Sequence, residues 1–276
     1  METRPELLRY LKHGHRLVKG WLLPGAIKML VALAKTQNID GVKGNVGEIG
    51  VHHGRLLILL ALLARNSEKA VAIDLFGDQE RNVDQSGKGD LNQFQENLRR
   101  HAHSCNVVIH QGDSTELTAT ALLELGGGVF RLFSVDGGHT PGITAHDLTT
   151  AEGALASGGI IILDDCFNEK WPGVSEGLFR YFSEAKPNLV PFATGGNKTL
   201  FCRPECAGRY IEALRRVPAR ATTHSFFEHQ VICCDFRPLP IHEHFCQNGV
   251  WRSLRNLGAV KVARNAYQYA RAVMGH

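Results

Sequence analysis

Residues 44–63, GNVGEIGVHHGRLLILLALL, decide the fold. Asn45 to Ile49 reads as a short buried strand, Gly50 and Gly54 bracket a turn, and residues 55–64 form an apolar helix without proline or glycine. A glycine-bounded turn between strand and helix lets backbone N–H groups close on a ligand, and the helix N-terminus behind it favours anions. The pattern marks a nucleotide or nucleoside site in an α/β fold.

Spacing separates the nucleotides. A dinucleotide site wants Gly-x-Gly-x-x-Gly, whereas this turn reads Glu48-Ile-Gly50-Val-His-His-Gly54. That arrangement, acidic-x-Gly-x-x-x-Gly, resembles the first motif of class I methyltransferases that use S-adenosylmethionine. In that family the glycines make room for the amino-acid end of the cofactor, and the acidic residue orients its ammonium directly or through water. His52 and His53 are then expected to pack around the cofactor rather than to act as a base.

Composition narrows the class. The 276 residues, 43% apolar, suit one large α/β domain with an extension. A net charge of +4 is too mild to argue for nucleic acid, although both ends are locally basic. Seven cysteines at irregular spacing fit a reducing compartment and idle thiols rather than a disulfide framework. The opening METRPELLRYLKHGHR is charged where a signal peptide needs an apolar core, and the longest apolar run, Leu56 to Ala64, is too short for a bilayer. A cytoplasmic, soluble protein is expected.

Along the chain, residues 5–22 predict a basic amphipathic helix, with Leu7, Leu11, Val18 and Leu22 on one face and Arg9, Lys12, His13, Arg16 and Lys19 opposite. Its leucines can pack on the domain or on a second copy, and its basic face can meet an anionic membrane. Residues 27–34 add a second short helix. Residues 70–73 form a buried strand whose tip, Asp74, can accept both hydroxyl hydrogens of a ribose. The polar loop 77–89 is long enough to cover a ligand, and Asp90 caps a helix to residue 100. A third strand, 107–110, leads to Gly112-Asp113-Ser114, where Asp113 alone would read as a turn residue or a cap.

The fourth strand, 130–135, is followed by Asp136-Gly137-Gly138-His139. A helix over 143–156, stopped by Gly158-Gly159, precedes a fifth strand, 160–163, ending in Asp164-Asp165. Three carboxylates thus stand at the carboxyl ends of two neighbouring strands, where open α/β sheets bind ligands. Like charges crowded there need a cation, and hard oxygen ligands with no cysteine nearby suit Mg²⁺. A helix over 173–185 and a hairpin over 189–203 complete the core.

From residue 44 to 203 the chain resembles the metal-dependent class I methyltransferases grouped with macrocin O-methyltransferase, which methylate sugar hydroxyls on macrolide and aminocoumarin antibiotics. The resemblance rests on Glu48, Gly50 and Gly54, then Asp74, Asp113, the VDGGH of 135–139 and the LDD of 163–165. It implies a Rossmann-like sheet, mostly parallel, of seven strands with one antiparallel, flanked by helices. Residues 1–38 would be an N-terminal helical cap, 39–204 the cofactor-binding core and 205–276 a C-terminal extension. It further implies that Glu48, Gly50, Gly54, Asp74, Asp113 and Ser114 hold S-adenosylmethionine, with Asp113 near the adenine amino group, and that Asp136, Asp164 and Asp165 hold Mg²⁺.

Methyl transfer from a sulfonium is an in-line displacement, so the acceptor oxygen must be aligned and its proton removed. Metal coordination lowers the hydroxyl pKa, and Asp136 or His139 is the base; His139 could equally hold its loop in place. The expected activity is Mg²⁺-assisted O-methylation of a sugar or glycosylated metabolite. Competing readings are a catechol-type methyltransferase, a hydroxylase on the same scaffold, and a non-catalytic module docking on a membrane or complex. Two stretches depart from the family. Thr140-Pro141-Gly142 stands where many relatives carry an aromatic residue and an acid, and 205–276 has no counterpart. That tail offers a strand-like 230–236, His242-Glu-His244 and a closing basic helix with Lys261, Arg264 and Arg271.

Overall fold

The computed structural model describes residues 4–217 and 220–236. His242, His244 and the closing basic helix lie outside the described residues. Five strands run parallel: β1 (Asn45–Ile49), β2 (Ala70–Asp74), β3 (Val107–Gln111), β4 (Phe130–Val135) and β5 (Leu155–Asp164). Beyond β5 the hairpin of β6 (Val190–Gly195) and β7 (Lys198–Cys202) places β7 antiparallel to β5, which completes the expected seven strands. Two more lengthen the sheet to nine. β9 (His229–Asp235) pairs parallel to β6 and β8 (Arg220–Phe226) antiparallel to β9, in the order β3-β2-β1-β4-β5-β7-β6-β9-β8. β9 is the strand that the apolar 230–236 segment predicts. β8, exposed at most positions, has no burial pattern to announce it.

Parallel strands covered on both faces read as continuous apolar runs, and β1 and β4 are buried at every position. At the N-terminus the helix is broken: α1 (Pro5–Arg9) runs through a π-helical turn at Tyr10–Gly14 into α2 (His15–Leu17). Leu7, Tyr10, Val18 and Leu22 are buried in the domain's own core, while Arg9, Lys12, His13, Arg16 and Lys19 are exposed. The same face of the sheet carries α3 (Pro24–Ile39) and α4 (Arg55–Leu63), whose residues Leu56 to Leu63 are all buried. α5 (Leu91–His101) stacks Phe94 on Phe76, and α6 (Ala119–Gly126) buries Leu122 on the opposite face. There α7 (Pro141–Gly153) and α8 (Pro172–Glu184) pack on Phe130, Phe133 and Ile161. α9 (Pro204–Leu214) returns to the first face.

The boundary between α7 and β5 differs from expectation. α7 ends at Gly153, and Gly158-Gly159 lies inside β5 instead of stopping a helix. Pairing jumps from Phe130 opposite Leu155 to Leu132 opposite Ile160, with Gly158 at φ 75°. The glycines accommodate a bulge. Near it a buried guanidinium ties strand to helices. Arg131, 0% exposed, donates to Glu68 (3.0 Å), to Gln37 Oε1 (2.9 Å) and to the Leu63 carbonyl (2.9 Å). Such a charge is tolerated inside because each nitrogen finds an acceptor. Cys105, Cys166, Cys202, Cys206, Cys233 and Cys234 are free thiols. Among the described residues no helix is long and apolar enough to cross a membrane.

Candidate active site

A cleft of ≈ 790 Å³ opens beyond the carboxyl ends of the central strands, within the range of roughly 300–1,000 Å³ usual for small-molecule sites. Gly50, at φ 86°, lets the end of β1 pass beside the end of β4: a Cβ there would lie 1.7 Å from the Asp136 carbonyl oxygen. Gly50, Asp74, Asp113, Ser114, Asp136, His139, Asp164 and Asp165 all face this cleft. Two expected residues do not. Gly54, at φ 89°, caps α4 and presses on Phe94. Glu48 is buried off the cleft wall, with Oε2 unpartnered among the described residues. Burial lifts its carboxyl well above the usual range against the pull of Lys198.

On the β2 side, Asp74 accepts the backbone N–H of His52 (2.6 Å) and of Phe76, and burial raises its pKa despite these bonds. Asp113 accepts from Thr115 N–H (2.9 Å) and Oγ1 (2.7 Å), so it is a cap and a wall residue at once. Ser114 donates to Asp147 on α7 (3.1 Å), a fully buried carboxyl whose pKa burial pushes up to about 7. His52 tilts against exposed Trp21 at the cleft mouth, with ring centroids 5.5 Å apart. Burial, then His53 and Lys19, lower its pKa to about 4 and leave it neutral.

The loop 77–89 contributes Gln79, Arg81, Asn82, Val83 and Ser86 to the wall. It also supplies Asp84, which accepts from the backbone N–H (2.6 Å) and Nδ1 (2.7 Å) of His139. The other ring nitrogen lies 3.4 Å from Asp165 Oδ2, and the ring stacks on Trp171 at 4.1 Å. Burial opposes a charge on His139, but Asp165 and Asp84 outweigh it and raise its pKa. Against burial, hydrogen bonds from His139, Asn197 and Asn168 bring Asp165 down to about 2. Asp165 itself sits at φ 56°.

The residue that sequence reasoning missed is Lys198. It opens β7 directly across from Asp164, its side chain 3% exposed. Nζ bonds Asp164 Oδ2 and lies 3.9 Å from Asp136 Oδ2. Asp164 Oδ1 accepts from Asp165 N–H (2.9 Å) and Asn197 Nδ2 (3.0 Å). Burial and Asp164 lift the Asp136 pKa well above the usual range, with Lys198 opposing. The signal lay in the hairpin register: once Ile160 faces Cys202, antiparallel pairing brings Asp164 to Lys198.

These contacts decide what the site can hold. The expected Mg²⁺ set divides, because Asp164 is engaged by Lys198 and Asn197 while ligand atoms of Asp136, His139 and Asp165 lie within 4.8 Å of one another. The set Asp136, Asp164 and Asp165 therefore does not fit a divalent ion in this arrangement. A nucleoside fits better. Acidic tips at β2 and β3 flank Ile49, Ile73, Leu75 and Ile143, a mixture suited to a hydroxylated ribose and a flat base.

Residues 48–166 match a family model described as a methyltransferase domain. The fold is similar to that of the O-methyltransferase NovP, at 16% identity and a TM-score of 0.55, covering 65% of this chain and 80% of that one. Also similar are the calicheamicin methyltransferase CalS11 (18% identity, TM-score 0.49, 73% and 94% covered) and an O-methyltransferase from Bacillus cereus in complex with SAH (16%, 0.49, 71% and 89%). No curated protein matches the chain.

Proposed function

We propose that the chain, whose residues 48–166 match a methyltransferase domain, is a class I, S-adenosylmethionine-dependent O-methyltransferase acting on a hydroxyl of a sugar or glycosylated metabolite. The observation that supports this most is the convergence of Asp74, Asp113 and Asp136, from the tips of β2, β3 and β4, on one cleft. The cofactor, when bound, supplies an electrophilic methyl group. The chain's own residues do the rest. Asp74 receives the ribose hydroxyls, and Asp113 and Ser114 lie beside the base edge.

For the acceptor, Trp21 and Phe167 stand exposed at the mouth, and Gln79, Asn82 and Asn168 line the wall, each already giving an amide N–H to the protein. A sugar has C–H faces that pack on rings and hydroxyls that amides bond, which favours it over a bare aromatic diol. Proton removal falls to Asp136. Both ring nitrogens of His139 face carboxylates, so its cation has no lone pair to offer. Asp136, facing the cleft at the tip of β4, takes the hydroxyl proton as the new bond forms. His139 acts as a positioning residue, linking Asp84 of the loop to Asp165. A metal-assisted second reading would rest on Asp136, His139 and Asp165, and would need His139 to turn a lone pair to the ion.

The test is calorimetric titration of chelator-treated protein with S-adenosylhomocysteine and, separately, with NAD. Binding of the thioether nucleoside alone is expected; binding of NAD alone would end the proposal.

A further inference from the structure

Carboxylates at the strand ends need compensation, and the sheet carries a compensating charge of its own. Asp136, Asp164 and the buried Glu48 all act electrostatically on the Lys198 ammonium. The backbone of Lys198 is held in place. It is the cross-strand partner of Asp164, and the preceding turn is braced: a Cβ on Gly196, at φ 60°, would lie 2.5 Å from the Ala26 nitrogen of α3. An ammonium out of water is costly unless paired, and this one touches one carboxylate and lies within Coulombic reach of a second. Lysine suits the place better than arginine because its charge is compact and its donors rotate.

We propose that the Lys198 ammonium is the resident cation of the strand-end carboxylates, balancing Asp136 and Asp164 as a divalent ion otherwise would, so that methyl transfer proceeds without a metal. The proposal rests on the methyl-transfer reading only in placing these groups at the reaction centre. Lys198 is a positioning residue: its ammonium, bonded to Asp164 and 3.9 Å from Asp136 Oδ2, holds the two carboxylates apart and leaves Asp136 facing the cleft. A divalent ion entering between Asp136 and Asp164 would have to displace an ammonium that is bonded to Asp164 and 3% exposed.

The experiment titrates Mn²⁺ into chelator-treated parent, Lys198→Met and Lys198→Arg proteins, following the free-ion signal by electron paramagnetic resonance. Calorimetry with S-adenosylhomocysteine runs beside it as a check on the folded cleft. The parent and the arginine variant should bind Mn²⁺ weakly, and Lys198→Met, with its carboxylates uncovered, at least about tenfold more tightly. One Mn²⁺ bound tightly by the parent overturns the proposal, whether Asp164→Asn or Asp165→Asn is the variant that loses it. So does a Lys198→Met protein that binds the nucleoside yet takes up no more Mn²⁺ than the parent. Lys198→Gln replaces the methionine variant should that one not fold. Loss of nucleoside binding by the parent would instead count against the methyltransferase reading and leave the Mn²⁺ comparison standing.

Discussion

Replacing Asp74 by alanine should cost nucleoside affinity far more than replacing Asp113, because the two carboxylates differ in burial and in what they hold. Asp74 takes the backbone N–H groups of His52 and Phe76, so it fixes two turns of the cleft wall. It would take two ribose hydroxyls as well. A hydrogen bond to a charged group contributes about 1.5–3 kcal/mol, so losing two removes about 3–6 kcal/mol. At about 1.4 kcal/mol per decade, S-adenosylhomocysteine should bind about 10²–10⁴-fold more weakly to Asp74→Ala. Asp113 is partly exposed and already bonded to Thr115; one solvated contact of about 1 kcal/mol gives a loss below about tenfold. Asp74→Asn keeps an acceptor oxygen and should fall between the two. Calorimetry reads the affinities, and melting curves confirm that each variant is folded. A Kd for Asp74→Ala within about threefold of the parent, or a larger loss in Asp113→Ala, would refute the reasoning.

Three further outcomes follow from separate parts of the molecule. Arg131→Met leaves Glu68 to the Arg65 guanidinium (2.8 Å) and takes the donor from Gln37 Oε1 and the Leu63 carbonyl, so it should destabilise by about 2–4 kcal/mol, lowering Tm by about 2–4 °C per kcal/mol. Adding Glu68→Gln should recover part of that loss, and an unchanged Tm in the single variant would contradict the pairing. Asp147 binds its proton more tightly folded than unfolded, so its contribution to stability is full below its ordinary value of 3.8 and falls as pH rises towards about 7. Asp147→Asn should therefore gain stability over the parent progressively across that window and by a constant amount above it, as denaturant midpoints at several pH values would show. Trp21→Ala should leave S-adenosylhomocysteine affinity unchanged while raising KM for the hydroxyl-bearing acceptor, and a fall in nucleoside affinity would move Trp21 from the acceptor mouth to the cofactor wall.

Much of this was legible in one dimension because it depends on local chemistry. The apolar run after Gly54 had to be a buried helix, and Asp74, Asp113 and Asp136 follow strands whose ends an α/β sheet gathers on one edge. Asp90 caps α5 as expected, its side chain accepting from Gln93 N–H. What escaped depends on pairing across distance. Asp84 lies in a loop without periodicity, so nothing local ties it to His139. Lys198 reads as a polar residue after a glycine turn until the register of β5 and β7 is known. Arg131 interrupts an apolar strand, and only Gln37, Leu63 and Glu68, remote in sequence, explain why a charge can sit there. Gly158-Gly159 misled because a bulge and a helix stop call for the same residues.

The contact between Gly196 and Ala26 bears on how the chain can be cut. The residue that bears the cleft's ammonium follows a turn seated on the first turn of α3, and Trp21, Leu22 and Leu23 just upstream form part of the cleft wall. A fragment trimmed to begin at residue 39 would keep every motif and every strand, yet it would leave that turn without its seat and one wall of the mouth missing. The working unit therefore starts well before its first recognisable motif, and an insertion or fusion at residues 21–26 would reach the acceptor as directly as one placed in the cleft itself.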